Sequence, residues 1–207
     1  MQSEITVEIL CDKETLFALL RAKGFKCIAR LLVDDYYYTH IDIKKAGFKE
    51  LADNSFLVRD LRCSDFKSKN KSVMYTRLTY KKKEFDPEGK VISEQKISTD
   101  ISDIGVANTI LQLSGMTNWC TKNANGYGFS RGKQYIFIQE VEDIGLFMEV
   151  EQFDYQKGSS DDILDELVEF VNDLEIPVGS NWHESISYRL HLKKNKKVEQ
   201  GFRPKII

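Results

Sequence analysis

A chain of 207 residues, 42% of them hydrophobic, is long enough for one sizeable domain or two small ones with a packed core. Its net charge of -2 gives no global basic footprint for duplex nucleic acid, and no apolar run approaches the roughly 20 residues of a membrane span. Cys11, Cys27, Cys63 and Cys120 form no C-x-x-C pair and no metal-ligand spacing with histidine, a usage that suits reduced thiols in a cytoplasmic protein.

Residues Glu4–Leu10 alternate, with Ile5, Val7 and Ile9 on one side and Glu4, Thr6 and Glu8 on the other, which predicts a strand with an acidic face. Asp12 is placed to cap a helix carrying Leu16, Leu19 and Leu20, and Gly24 to end it. Phe25–His40 supplies one or two strands and ends in Tyr36-Tyr37-Tyr38, an aromatic run whose commoner role in a β protein is packing rather than stacking on a base. Lys44–Asn54 reads as a polar connection with room for a helical turn. Ser55–Cys63 is a strand on which Arg59 and Arg62 face opposite sides, so only one can join the charges of neighbouring strands.

Asp65–Lys71 reads as a hairpin connection, and Val73–Lys81 as the next strand, with Tyr75, Arg77, Thr79 and Lys81 on one side. Asp86-Pro87-Glu88-Gly89 has turn chemistry, and Val91–Ile97 returns as a strand on which Glu94 and Lys96 share a face. The helical spacing of Ile104, Ala107, Ile110 and Leu111 within Asp103–Leu113 divides the chain into two strand-rich halves. Thr117–Asn123 and Arg131–Val141 then form an antiparallel pair, with Asn125-Gly126-Tyr127-Gly128 read as the turn between them.

The stretch Ile136–Glu151 holds two alternating runs that meet at Gly145. Phe137 and Gln139 share one side of the first, Phe147, Glu149 and Glu151 one side of the second, and Ile136, Ile138, Val141, Met148 and Val150 are assigned to the apolar side. Glu149 and Glu151 therefore project together, about 7 Å apart on one strand. Ser159 and Ser160 open an amphipathic helix that Pro177 ends. Asn181–Lys194 follows as helix or strand, Lys193–Lys197 reads as a solvated charge run, and 195–207 as a basic, mobile tail. His40, His183 and His191 are scattered and lack the convergent partner a general base needs.

Strand positions that match in this way place Glu8, Glu94, Glu149 and Glu151 together with Arg59, Lys81 and Lys122. Exposed to solvent, such charges contribute roughly 0–1 kcal/mol per pair. Lining the inside of a closed barrel, they would cost desolvation unless water, metal or a polyanion filled the lumen. A filled lumen implies a ligand, and the apolar sides of the strands would then face outward under the helices.

VEDIGLFMEVE (Val141–Glu151) resembles the glycine-then-F-x-E-x-E strand of the CYTH, or triphosphate tunnel metalloenzyme, family, which includes class IV adenylyl cyclases and thiamine triphosphatases. The likeness runs roughly from Glu4 to Glu151, and Ser187-Tyr188 is similar to the family's C-terminal segment. It implies an α+β fold, a single domain over residues 1–194 in which a closed antiparallel β-barrel forms a tunnel with helices packed outside. It also implies Mg²⁺ or Mn²⁺ held by Glu8, Glu94, Glu149 and Glu151, phosphate binding by Arg59, Lys81 and Lys122, and catalytic roles for Glu8 and Lys81. The partner is then a small-molecule triphosphate or polyphosphate, nucleotides included, with no duplex nucleic acid and no membrane; a homodimer is compatible with it.

Departures from the family pattern thin the phosphate-binding set. The N-terminal E-x-E-x-K reads either Glu4-x-Thr6-x-Glu8 or Thr6-x-Glu8-x-Leu10, and neither has a lysine. Leu57 stands where a second arginine is expected, Lys96 replaces an acid, Ala124 the arginine of K-x-R, and Gln139 an aspartate. Arg77 and Lys96 are placed to compensate, although lysine lacks the bidentate fork of arginine. Three activities follow as expectations: hydrolysis of a triphosphate, cyclisation of ATP, and binding without efficient turnover.

Overall fold

The computed structural model describes residues 4–53, 55–65, 72–85, 91–151, 160–182 and 185–201. In chain order the elements are β1 (Glu4–Glu8), α1 (Lys13–Ala22), β2 (Lys26–Thr39), α2 (Phe48–Ala52), β3 (Ser55–Asp65), β4 (Ser72–Phe85), β5 (Val91–Asp100), α3 (Ile104–Leu113), β6 (Thr117–Arg131), β7 (Gln134–Val141), β8 (Gly145–Glu151), α4 (Ser160–Asp173) and α5 (Ile186–Gly201). All strands join one antiparallel sheet in the order β1-β8-β7-β6-β2-β3-β4-β5. No ladder of hydrogen bonds joins β1 to β5 among the described residues, so the barrel expected from sequence is not closed by strand pairing.

The sheet nevertheless curls back on itself. Laid flat, eight strands would separate the two edges by roughly 34 Å, yet Lys96 Nζ on β5 lies 3.9 Å from Glu4 Oε2 on β1. The far end of β1 is covered differently: Leu10 N–H donates to the Pro177 carbonyl and Gly179 N–H to that of Glu8, both at 2.9 Å. That cover blunts an otherwise unpaired edge.

Alternation dictates which face carries the helices. Ile5 and Val7 of β1, Ile136 and Ile138 of β7, and Met148 and Val150 of β8 are buried on the outer face under α1 and α4. α1 presents Leu16 and Leu20 to them, and its first turn is capped by Asp12, whose Oδ1 accepts from Thr15 N–H at 2.8 Å. α4 presents Ile163, Leu167 and Val171, one residue per turn of a single stripe. α3, capped by Asp103, lays Leu111 over Tyr38 and Val58, with Tyr36 packed beside them. Tyr36 and Tyr38 are thus outer-face packing, whereas Tyr37 points inward against Trp119.

The structure departs from the sequence expectations in several places. Asn125–Gly128 is no turn: β6 runs unbroken through it, and the reversal comes at Gly132 (φ +59°) between β6 and β7. Gly126 and Gly128 instead make room on the inner face, since a Cβ on either would come within 2.7 Å of the Phe137 or Tyr135 side chain. Val141 lies on the inner side with Phe147 and Phe137 rather than on the outer, because its odd number gives it their parity. Lys193 is not simply solvated, for its ammonium bonds the Asp143 carbonyl. Helix α5 continues through Gly201, past the expected start of the tail at residue 195, and it packs on the inner side, with Ile186 and Leu190 against Phe147 and Val141. Residues 86–90, expected to turn, lie outside the described residues, as do most of 65–71 and His183. No helix among the described residues is long and apolar enough to cross a membrane.

Candidate functional site on the inner face

Register decides what the inner face carries. β8 pairs with β1 so that Glu151 stands opposite Glu4 and Glu149 opposite Thr6. Carboxylate oxygens of Glu4, Glu149 and Glu151 all lie within 4.8 Å of one another. Burial pushes the Glu149 carboxyl up to about 7; the Glu4 and Glu151 charges push the same way, against Lys122 and Arg59. Three crowded carboxylates, one held back from ionising, are the hard oxygen donors that Mg²⁺ or Mn²⁺ takes, so the residues present fit such an ion.

Beside this acidic end runs a chain of polar contacts across five strands. Gln139 Nε2 donates to Glu149 Oε2 at 2.5 Å, and Gln139 Oε1 accepts from Lys122 Nζ at 2.9 Å. Lys122 Nζ also lies 2.8 Å from Asp35 Oδ2. Arg59 closes the chain, its Nε donating to Asp35 Oδ1 at 2.6 Å and its Nη2 to Oδ2 at 2.8 Å. Asp35 is 0% exposed. Burial alone would raise its pKa, but the Lys122 and Arg59 charges outweigh that and hold it well below the carboxylate range. Gln139, where an aspartate was expected, can accept from a cation and donate to a carboxylate at once, which no carboxylate can do.

On the opposite edge the inner face is basic. Arg77 stands directly across from Arg59, and Lys81 from Lys96. Like charges facing each other on one side of a sheet are destabilising unless anions intervene. Asp35 answers Arg59, and Asp100 answers Arg77, accepting at 3.0 and 3.1 Å in an exposed pair while the guanidinium stacks 4.0 Å from the Tyr75 ring. Because β5 curls round to β1, this basic strip faces the acidic triad across the gap that Lys96 and Glu4 span.

The expected site residues thus divide. Glu149, Glu151, Arg59, Arg77, Lys81, Lys96 and Lys122 share the inner face, and Arg62 pairs with Asp34 on the outer one. Glu8 is on the inner face too but outside the triad. It sits opposite Phe147, beyond Thr6, and its Oε2 accepts from Arg189 Nη1 of α5 at 2.5 Å. Glu4 replaces it among the carboxylates because β1 meets Glu149 and Glu151 with its first half. Glu94 has its backbone opposite Lys83, and its side chain lies outside the described residues.

Three residues of the candidate site do not stand out from the sequence pattern. Asp35 had a signal: it follows Leu31 and Val33 at a position of an apolar series and is itself charged. Glu4 had only its place on an acidic face, and Arg189 none, since its role depends on α5 turning inward. His191 packs against Phe48 and Trp119, and burial lowers its pKa. It lines a cavity of about 270 Å³ with Trp119, Cys120 and Lys194, in which none of the expected site residues takes part.

No family model matches the chain, and no curated protein does. Solved structures do. The PH1819 protein of Pyrococcus horikoshii OT3 is 19% identical, with a TM-score of 0.64, over 93% of this chain and 99% of that one. A proposed adenylate cyclase from Vibrio parahaemolyticus is 12% identical, with a TM-score of 0.61, over 93% and 97%. A proposed adenylyl cyclase from Hippeastrum, described as having a dominant triphosphatase activity, is 13% identical, with a TM-score of 0.58, over 94% and 96%. At these identities the likeness is one of fold, and in fold this chain is similar, over nearly its whole length, to these proposed adenylyl cyclases.

Proposed function

We propose that the inner face binds the phosphate chain of a small-molecule triphosphate or polyphosphate together with Mg²⁺ or Mn²⁺, and that the bound chain is slowly hydrolysed. The observation that carries this is the facing of two like-charged groups: the carboxylates of Glu4, Glu149 and Glu151 on one edge, and Arg77, Lys81 and Lys96 on the other. A polyanion carrying its own divalent cation is complementary to both groups at once. The fold shared with a protein of dominant triphosphatase activity supports the same substrate class.

Glu4, Glu149 and Glu151 would hold the divalent ion, which supplies charge neutralisation along the phosphate chain and a polarised phosphoryl oxygen. Lys81 and Lys96 orient the chain and stabilise the negative charge that develops on the transferred phosphoryl group. Water attacks the terminal phosphorus: its oxygen forms the new P–O bond, the bridging P–O bond breaks, the shortened phosphate leaves, and the proton that the water gives up passes to a phosphate oxygen. Glu8, held by Arg189, lies further along β1, beyond the triad.

A second reading, binding without efficient turnover, is favoured by Asp35, which occupies two of the cations expected to bind phosphate. Calorimetric titration with tripolyphosphate and ATP, with and without Mn²⁺, on the native protein and on Lys81→Ala and Glu149→Gln, tests the site. Release of orthophosphate or of cyclic nucleotide from the same mixtures then separates hydrolysis, cyclisation and binding alone. Absence of binding under every condition, or binding by both variants equal to the native protein's, would refute the site.

A further inference from the structure

Asp35 makes more contacts than a structural counter-ion requires. Three N–H donors, two from the Arg59 fork and one from Lys122, converge on its two oxygens at 2.6 to 2.8 Å. Convergent cationic donors around a planar or tetrahedral oxyanion are how proteins hold a phosphoryl group. Here the oxyanion belongs to the protein. Its neighbours on the strand show that it is out of pattern: Leu31 and Val33 precede it on the same face, and Tyr37 follows.

We propose that Asp35 is a specificity-determining residue, a built-in occupant of one phosphate position that limits how much of a phosphate chain the inner face engages. The proposal rests on the phosphate-binding reading given above. Asp35 cannot yield to an incoming phosphate, because displacing a carboxylate from a site with no solvent contact leaves it desolvated and unpaired. Arg59, whose side chain is 34% exposed, is near enough to the open face to serve a ligand but is turned to Asp35 by both arms of its fork. A bound chain therefore meets Arg77, Lys81 and Lys96, and among the described residues a third phosphate finds no inner-face cation on β2 or β3 that Asp35 does not already hold.

The consequence is measurable as a ratio. The native protein should bind tripolyphosphate and pyrophosphate with association constants within about threefold of each other, measured by calorimetry with the same Mn²⁺ concentration throughout. Asp35→Ala frees Arg59 and Lys122, and the ratio should rise by tenfold or more in favour of tripolyphosphate. Chelation of Mn²⁺ in solution is the same for both proteins and cancels in the comparison.

The double variant Asp35→Asn/Lys122→Met removes the buried ammonium together with its counter-charge and frees Arg59 alone, and so tests the same assignment without an unpaired buried lysine. It should raise the ratio in favour of tripolyphosphate by about threefold or more. A ratio unchanged in Asp35→Ala and in the double variant overturns the proposal. If Lys81→Ala still weakens binding in that case, the phosphate site stands without it. If native protein binds neither anion, site and proposal fall together.

Discussion

Replacing Glu149 by glutamine should make the metal-free protein more stable at pH 8 and leave it nearly unchanged at pH 5. In the native fold this carboxyl titrates near 7 against an ordinary 4.5, chiefly because of burial and then the Glu4 charge. A group whose folded pKa is raised contributes stability that is full below the unfolded value and is lost as pH rises through the folded one. Across pH 5 to 8 the raised value corresponds to a loss of about 2 to 3 kcal/mol, at roughly 1.4 kcal/mol for each unit of proton affinity. For a chain of 207 residues that is a fall in Tm of about 5–10 °C. Glutamine has no charge to expel and can still accept from Gln139 Nε2 through its carbonyl oxygen. Calorimetric scans in EDTA at half-unit steps of pH should show the two Tm curves converging at pH 5 and parting above pH 6.5, the variant higher. Parallel curves would mean that Glu149 ionises freely and that the acidic triad is solvated, which would refute the reasoning.

Other consequences can be checked independently. Loading Mn²⁺ near pH 7 should release a substantial fraction of one proton as Glu149 ionises, seen as a dependence of the apparent binding enthalpy on buffer ionisation enthalpy. Asp35→Asn leaves the buried Lys122 and the Arg59 guanidinium without a counter-charge and should lower stability by about 3–5 kcal/mol, read from urea midpoints at unchanged m. Gly126→Val would drive a side chain into the Phe137 ring and against Leu31, and should cost about 1–3 kcal/mol by the same measurement. The Lys13–Glu140 pair on the outer surface should give a coupling of only about 0.2–1 kcal/mol in a double-mutant cycle.

Much of the fold was legible because burial enforces alternation. Ile5, Val7, Ile136, Ile138, Met148 and Val150 are buried where period two put them, and Asp12 and Asp103 cap the helices that follow them. What local pattern could not show was any feature set by a distant strand. Glycines read as a turn because nothing near Gly126 announces that Phe137, on the next strand, needs the space. Glu149 and Glu151 were visible as a pair, but their third partner depends on where β1 starts its pairing, and Glu4 and Glu8 look alike in sequence. Asp35 hid between Asp34 and three tyrosines, and only the register with β3 and β6 shows that it, not Asp34, faces Arg59 and Lys122.

The pairing of β1 with β8 sets the order of events when the chain is made. Glu8 must find Phe147, so the strand of this sheet that is made first has no partner in it until the sheet's last strand follows. At about 5–20 residues per second the wait is on the order of ten seconds, far longer than a hairpin needs to form. Through that interval β1 is an orphan with an apolar side, Ile5 and Val7, and open hydrogen-bonding edges. Glu4 and Glu8 on its other side keep it from being an inviting template for a neighbouring chain. The same acidic residues that later border the inner face thus guard the nascent chain before that face exists.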